Sequence, residues 1–193
     1  MPVVTTESVL DLFRRVGALL EGHFRLTSGL HSPGYLQCAL VLQHPAAAET
    51  CGQAIADRVR NLGATVVLSP ALGGIVIGQE VARALGVHAI FAERQDGALT
   101  LRRGFTLSRT DRVLVVEDVV TTGGSTRETI AVARAAGATV VGATSIIDRS
   151  GAQQQGLDVP YHALAVVALP TYQPESCPLC AAGQPVVKPG SRA

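Results

Sequence analysis

The sequence is poor in several residue types that mark particular classes of protein. It has no tryptophan, one lysine (Lys188), four cysteines, 4% aromatic residues and a formal net charge of +1 over 193 residues. A nearly neutral chain lacks the excess of basic side chains with which proteins bind nucleic acids or anionic membranes. The cysteines are too scattered to indicate the disulfide framework of a secreted protein.

Long uncharged hydrophobic runs are also absent. No run approaches the roughly 18 apolar residues that a membrane-spanning helix needs. The first apolar stretch contains Glu7, Asp11, Arg14 and Arg15. With these charges it does not match the uncharged apolar core of a signal peptide. We therefore expect a cytoplasmic protein that contacts neither membranes nor nucleic acids.

The chain does contain enough apolar residues for a substantial core, at 47% of the sequence against 16% charged residues. Domains commonly contain about 100–200 residues, so residues 1–193 are predicted to form a single domain. Apolar runs without alternation occur at 64–68, 87–91, 112–116, 138–147 and 162–169, separated by helical segments. This rhythm predicts an α/β fold with a doubly wound, mainly parallel sheet.

The regions around this core differ in pattern. Charged and apolar residues from Glu7 to Leu20 suit an amphipathic helix, and residues 23–42 are rich in turn residues, so 1–44 form an N-terminal appendage. Pro45 begins a helix over 46–62 that opens the core, residues 45–170. Prolines make residues 171–193 an irregular tail.

The strongest functional signal is the segment 113–126, in which an apolar strand leads into two acids and a glycine-rich turn. The acids are Glu117 and Asp118, and the residues that follow are Val119, Val120, Thr121, Thr122, Gly123, Gly124 and Ser125. Glycines allow close backbone approach, and the N-terminus of the next helix favours an anion. Adjacent acids suit ribose hydroxyls or hydrated Mg²⁺. The alternative is a simple turn capped by Ser125, with two solvated acids.

This segment resembles the phosphoribosyl-diphosphate-binding motif of type I phosphoribosyltransferases. A second junction resembles the loop with which that family holds pyrophosphate through backbone amides; its candidate residues are Ala71, Leu72, Gly73 and Gly74. A tight turn that permits close helix packing is the alternative there. A dinucleotide site does not fit, because Gly73, Gly74 and Gly78 lack the G-x-G-x-x-G spacing, and no Walker A lysine is present.

The N-terminal residues 24–35, here called the hood segment, resemble the segment that covers the base in orotate phosphoribosyltransferases. With 91–94, 102–105 and 147–149 the resemblance spans most of residues 7–170, and the tail resembles a short bacterial branch of that family. It implies transfer of phosphoribose from 5-phosphoribosyl 1-diphosphate to orotate. It also implies Mg²⁺ carried by the diphosphate near Glu117 and Asp118, without direct protein ligands.

By position, the resemblance places Arg149, Thr121, Thr27 and Tyr35 at the orotate. A planar guanidinium can bind a carboxylate through two hydrogen bonds, which suits Arg149. Arg149 could instead pair with Asp148 at the surface. Tyr35 either stacks on the base or fills the core of the hood segment.

Two departures from the family pattern concern cations. Thr27 stands where many members have a base-side lysine, and the stretch 93–103, which corresponds to the mobile catalytic loop, has only arginines. Arg94, Arg102 and Arg103 are therefore the candidates for stabilising the departing pyrophosphate, by charge and not as acids. The alternative is a basic hairpin surface. The resemblance also implies a homodimer in which this loop reaches the neighbouring site.

Cysteine and histidine spacing gives a weaker signal. Cys177 and Cys180 form half of a metal site, but a structural zinc ion usually needs four ligands. Cys38 and Cys51 would complete it only by a coincidence of the fold, so the sequence favours a metal-free, non-catalytic pair. The five histidines show no ligand spacing and are interpreted as structural, with His31 nearest the site; they are His23, His31, His44, His88 and His162.

Orotate transfer is the leading hypothesis for the function. The alternatives are a phosphoribosyltransferase for a purine or another base, and a regulator of the same fold that binds nucleic acid. A Rossmann-type dehydrogenase is the most remote of them.

Overall fold

The computed structural model describes residues 5–26, 28–150 and 156–189. Its helices are α1 (Thr6–Arg15), α2 (Cys38–Leu42), α3 (Pro45–Val59), α4 (Gly73–Leu85), α5 (Gly124–Ala135) and α6 (Pro178–Ala181). Its strands are β1 (Leu19–Arg25), β2 (His31–Leu36), β3 (Val66–Pro70), β4 (His88–Gln95), β5 (Ala98–Leu101), β6 (Arg112–Val120), β7 (Thr139–Asp148) and β8 (Tyr161–Val166). Short 3-10 helices lie at Arg60–Leu62 and Pro174–Ser176.

The centre of the fold is a six-stranded sheet with the order β5-β4-β3-β6-β7-β8. Strands β3, β4, β6, β7 and β8 run parallel, and β5 pairs antiparallel with β4 at one edge. These five parallel strands coincide with the five apolar runs, so the predicted doubly wound sheet is confirmed. The chain moves from β3 out to β4 and then returns to β6 on the other side of β3. The loops after β3 and β6 therefore meet at a topological switch point, where such sheets bind ligands.

Both faces of this sheet are covered, which explains why its strands read as unbroken apolar runs. On one face Val67 and Leu114 pack with Ile55 of α3 and Ile77 of α4. The next residues along the strands point to the opposite face, where Leu68 packs with the α5 side. Among the described residues, no helix combines the length and the apolar character needed to cross a membrane.

The first helix is shorter than predicted. The sequence suggests a helix from Glu7 to Leu20, but α1 ends at Arg15. Gly17 is left-handed (φ 66°), its N–H donates to Arg14 O, and Ala18 N–H donates to Phe13 O. This pair of hydrogen bonds is a Schellman motif, which terminates a helix. Residues after Gly17 are thereby released into β1.

The N-terminal appendage is built around a β-hairpin. β1 and β2 pair antiparallel outside the main sheet, and Thr27, in their connection, lies outside the described residues. The tail packs against this hairpin through main-chain hydrogen bonds between Tyr172 and His31, from Arg25 N–H to Val187 O and from Val187 N–H to His23 O. The irregular tail is therefore hydrogen-bonded to the hairpin that contains the hood segment.

Candidate active site

The switch point contains a cavity of about 200 Å³. It is lined by residues from the two loops, the acid pair and the β4–β5 hairpin: Pro70, Ala71, Gly73, Arg94, Leu99, Glu117, Asp118 and Ser125. The sheet topology therefore brings together the two motifs that the sequence separates by more than forty residues. Pro70 and Leu99 lie in the two segments that the sequence assigns to the diphosphate, but neither was named as a site residue, because neither has a polar side chain.

The two acids lie inside a strand and not beyond its end. β6 runs to Val120, four residues farther than the predicted run, so that Glu117 is only 5% exposed. Ser125 Oγ donates to Glu117 Oε2 at 2.8 Å, and Val119 N–H donates to Asp118 Oδ1 at 2.8 Å. Val120 is buried, and its carbonyl oxygen accepts from Arg149 N–H, so its side chain is closed to a ligand.

These acids are held without a cationic partner. Burial raises the pKa of Glu117, and the neighbouring charge of Asp118 raises it further. Burial also raises the pKa of Asp118. Among the described residues, no lysine, arginine or histidine forms an ion pair with either carboxylate. Because buried carboxylates need compensation, the pair suits ribose hydroxyls or a hydrated divalent cation.

The glycine-rich turn leaves the start of α5 open. Gly123 is the residue before the helix, and no side chain caps its first turn. The predicted alternative of a Ser125 cap is therefore wrong, because the Ser125 hydroxyl donates to Glu117 instead. Thr121 and Thr122 are exposed and Gly124 is half-buried at the turn. Uncapped N–H groups at a helix N-terminus form a site for phosphate.

The loop after β3 approaches the acid pair closely. A Cβ atom on Gly73 would lie 2.7 Å from both carboxylate oxygens of Asp118. Ala71 N–H donates to Ala92 O, the Ala71–Leu72 peptide bond is cis, and the Leu72 side chain is 83% exposed. Gly74 lies against Val116 O and Ser69. The loop thus combines close packing with a main-chain surface that lines the cavity.

The three predicted arginines have different surroundings. Arg94 lines the cavity and pairs with Glu128, with 3.0 Å between Nη1 and Oε2. Arg103 instead forms two hydrogen bonds with Glu93, at 2.7 and 2.8 Å, and lies over the Phe91 ring. Arg102 is exposed and makes no ion pair with a described residue.

Arg149 begins the segment after β7 and is partly buried beside the end of β6, where its N–H donates to Val120 O. Its Nε is buried and has no hydrogen-bond partner among the described residues, and no described acid pairs with it. Tyr35 and Cys38 are its neighbours, since the charge of Arg149 lowers the pKa of Tyr35 and of Cys38. Burial lowers the pKa of Arg149, although an arginine remains charged. A surface pair with Asp148 is therefore not found.

Cys38 is a neighbour that the sequence did not indicate. It begins α2, and its thiol donates to Asp118 O at 3.8 Å. Burial raises the pKa of this thiol, so it remains neutral. No spacing rule could have placed it, because Cys38 and Asp118 are 80 positions apart in the sequence.

Comparison with known proteins shows the family to which the chain belongs. The family model of the phosphoribosyl transferase domain matches residues 39–163. The orotate phosphoribosyltransferase of Pelotomaculum thermopropionicum is 51% identical over 189 residues, covering 98% of this chain and 99% of the relative. The orotate phosphoribosyltransferase of Carboxydothermus hydrogenoformans is 52% identical over 183 residues, covering 94% and 95% respectively.

Solved structures of this fold are similar as well. Orotate phosphoribosyltransferase from Aeropyrum pernix has a TM-score of 0.67 and 26% identity, covering 82% of this chain and 93% of that one. The Mycobacterium tuberculosis enzyme, solved with Fe(III) dicitrate, has a TM-score of 0.69 and 22% identity, covering 82% and 94%. With relatives near 50% identity over almost its whole length, the chain belongs to the orotate phosphoribosyltransferases, within the phosphoribosyl transferase family.

Proposed function

We propose that this protein transfers the phosphoribosyl group of 5-phosphoribosyl 1-diphosphate to orotate, giving orotidine 5′-phosphate and pyrophosphate. The observation that carries the choice of base is the partly buried Arg149 guanidinium, whose Nε has no partner among the described residues. A buried cation without an acid is costly, so the site favours a ligand that brings its own carboxylate. Orotate brings one, whereas uracil, adenine and hypoxanthine do not.

The two ends of the donor fit different parts of the cavity. The 5′-phosphate is assigned to the uncapped N-terminus of α5, formed by Gly123, Gly124 and Ser125. The diphosphate is assigned to the main chain of the Ala71–Gly74 loop. Glu117 and Asp118 lie between them and accept hydrogen bonds from the ribose hydroxyls. The protein thus orients the anomeric carbon towards a base bound beside Arg149 and Tyr35.

The reaction is a displacement at the anomeric carbon with oxocarbenium character. The bond from this carbon to the diphosphate oxygen breaks as a bond to the ring nitrogen of orotate forms. Arg94 lines the cavity beside the diphosphate loop, so its fixed charge stabilises the negative charge that grows on the leaving group. Arginine does not give up its proton, and the role is electrostatic.

We also propose that the donor binds together with Mg²⁺ near Glu117 and Asp118. The buried, uncompensated acid pair fits a hydrated divalent cation that arrives with the diphosphate. Bound there, Mg²⁺ would neutralise charge on the diphosphate. The residues that would hold its water shell are Glu117 and Asp118.

We infer a homodimer in which the exposed segment after β5, with Arg102, reaches the site of the neighbouring chain. We also infer that the protein acts in the cytoplasm.

The experiment that tests the function offers four bases separately. Purified protein is mixed with Mg²⁺ and phosphoribosyl diphosphate, and pyrophosphate release is measured with orotate, uracil, adenine or hypoxanthine. We expect release with orotate alone. Release with another base would contradict the assignment of Arg149, and silence with all four in protein that binds the donor would favour a regulator of the same fold.

A further inference from the structure

Two histidines and two cysteines meet at the junction of the hood segment and the tail. His23 lies in β1 and His31 in β2, while Cys177 precedes α6 and Cys180 lies within it. One ligand atom from each of the four residues lies within 4.8 Å of all the others. His23, His31 and Cys177 are buried, and Cys180 is exposed. None of the four lines the active-site cavity.

The distances within this cluster suit a single tetrahedral ion. With zinc bonds of about 2.0–2.1 Å to nitrogen and about 2.3 Å to sulfur, the nitrogen–sulfur edges of a tetrahedron are about 3.6 Å. The Sγ of Cys177 lies 3.6 Å from His23 Nε2, and that of Cys180 lies 3.7 Å from His23 Nε2 and 3.3 Å from His31 Nδ1. The two ring nitrogens are 2.8 Å apart, which is shorter than the matching edge of about 3.3 Å.

The protonation of His23 suits a ligand. Its Nδ1 lies 2.8 Å from the carbonyl oxygen of Gln184, and a carbonyl can only accept, so the proton of a neutral ring is on Nδ1. The lone pair of Nε2 then points into the cluster. Metal-bound histidines almost always donate their other N–H to a carbonyl or carboxylate in this way.

Without a metal ion, a hydrogen bond between the two histidines would hold part of this cluster together. His31 Nδ1–H would donate to His23 Nε2, which accounts for the 2.8 Å between them. This arrangement leaves both thiols with only weak, long contacts to the rings. The two explanations differ in one measurable property, which is whether the thiols bind a cation.

We propose that His23, His31, Cys177 and Cys180 bind one Zn²⁺ ion. Two thiolates and two imidazoles are a ligand set typical of structural zinc, and four protein ligands leave no open position for catalysis. The ion would join the hairpin of β1 and β2 to the tail, where main-chain bonds from Arg25 and Val187 already meet. Zinc would thus stabilise the packing of the tail on this hairpin. This site is independent of the proposed reaction, since its binding is measured without substrate.

The sequence favoured a metal-free pair because only Cys177 and Cys180 stand at metal spacing. The fold supplies the other two ligands from neighbouring strands, and they are histidines and not Cys38 or Cys51. Cys51 lies in α3 and Cys38 beside the acid pair, so neither reaches the cluster.

The first test measures metal bound by full-length protein that carries no polyhistidine tag. We expect about one zinc per chain after dialysis against Zn²⁺, and Co²⁺ in its place should give a thiolate charge-transfer band and tetrahedral d–d bands. Cys177→Ser with Cys180→Ser should lose the charge-transfer band and weaken zinc binding by at least about 100-fold, more than the loss of an outer-shell partner costs. The matched controls, Cys51→Ala and His88→Asn, should bind like the wild type.

The second test uses the wild type alone, so it does not depend on whether a variant folds. Alkylation with iodoacetamide, followed by peptide mass spectrometry, is run with Zn²⁺ and with a chelator. Zinc should protect Cys177 and Cys180 and leave the labelling of Cys51 unchanged. Equal labelling of Cys177 and Cys180 in both conditions, or a Co²⁺ complex without a thiolate band, would overturn the proposal.

Discussion

Among single residues, Arg149 bears most directly on recognition of the base. Hydrogen bonds to charged groups contribute about 1.5–3 kcal/mol, so Arg149→Ala should lower kcat/KM for orotate by about 10- to 150-fold. The loss should appear mainly in KM for orotate and leave the affinity for phosphoribosyl diphosphate unchanged. Arg149→Lys should recover only part of it, because an ammonium group cannot form the paired hydrogen bonds. Steady-state kinetics would measure both effects.

The matched control for Arg149 is Arg15→Ala. Arg15 is exposed on α1 and does not line the cavity. An equal loss in both variants, or an equal loss for donor and base, would show that Arg149 does not bind the orotate carboxylate.

Glu117 should make stability depend on pH. Burial and Asp118 raise its pKa from 4.5 to about 8, so the folded chain binds this proton more tightly than the unfolded chain does. Its contribution is therefore fully present below pH 4.5 and is lost as the pH rises towards about 8. A tenfold difference in proton affinity between the folded and unfolded chains corresponds to about 1.4 kcal/mol, and each kcal/mol to about 2–4 °C in Tm for a domain of this size.

The variant Glu117→Gln isolates this effect. It keeps an acceptor for the Ser125 hydroxyl but cannot ionise, so its Tm relative to the wild type should increase between pH 5 and pH 8. Glu21→Gln, an exposed acid in β1, should show no such trend. Thermal unfolding over this pH range, without Mg²⁺ or donor, would measure it. Parallel Tm curves for Glu117→Gln and the wild type would contradict the assignment.

The sequence could place a single residue in the site only where that residue adjoins a recognisable strand. Glu117, Asp118 and Arg149 each continue an apolar run, so their positions at the ligand edge of the sheet were predictable. The choice between Arg94 and Arg103 was not predictable. It depends on the ion pair between Arg103 and Glu93, which forms only when β4 and β5 are in register.

At the scale of elements, the loop between β3 and α4 brings Gly73 so close to the Asp118 carboxylate that a larger residue should disturb it. A methyl group at Gly73 would lie 2.7 Å from both Asp118 oxygens, and Val119 N–H already holds that carboxylate. Gly73→Ala should therefore displace Asp118 and lower donor affinity by about tenfold or more, the equivalent of about 1.4 kcal/mol. Calorimetric titration with phosphoribosyl diphosphate and Mg²⁺ would measure the change.

Leu72→Ala is the control in the same loop. The Leu72 side chain is 83% exposed, and the loop is expected to bind pyrophosphate through its main chain. Donor affinity should thus remain within about twofold of the wild type, or about 0.4 kcal/mol. A large loss in this variant and none in Gly73→Ala would show that side chains form this site.

The β4–β5 hairpin supports a second prediction at this scale. Its turn is Asp96-Gly97, with φ of 52° and 87°, so both residues have the positive φ of a type I′ turn. The hairpin holds Arg94 at the cavity and Arg103 against Glu93. Arg94→Ala should lower kcat by roughly 100-fold, as loss of one charge-stabilising group does, and Arg103→Ala by much less. Single-turnover measurements would show the difference, and a larger loss for Arg103→Ala would contradict it.

Elements were predicted well where one signal dominated. The helix after Pro45 and the five buried strands have long apolar patterns, and the structure confirms them. The prediction for Leu19 and Leu20 was wrong because their spacing also fits a helix, and the stop signal was the single residue Gly17. β5 was not predicted because four residues are too short for a periodic pattern, although Asp96-Gly97 marks its turn.

Over the whole molecule, the sequence predicted the helices and strands that local patterns specify. It did not predict the side-chain cluster that forms where the two ends of the chain meet. His23 and Cys177 are 154 positions apart, and their meeting depends on the pairing of the tail with the hood segment. No periodic pattern reports such a contact.

Mixing two inactive variants should show which arginine a neighbouring chain supplies to the active site. Arg94 lies in the cavity of its own chain, whereas Arg102 is exposed and is the better candidate to reach a neighbouring site. If so, Arg102→Ala and Arg149→Ala should each be impaired alone, and refolding them together should restore about a quarter of wild-type activity through mixed dimers with one intact site. The same experiment with Arg94→Ala and Arg149→Ala should restore nothing, because both residues serve the site of their own chain. Recovery in the second mixture and not in the first would assign the shared arginine to β4, and a monomer by light scattering would exclude sharing.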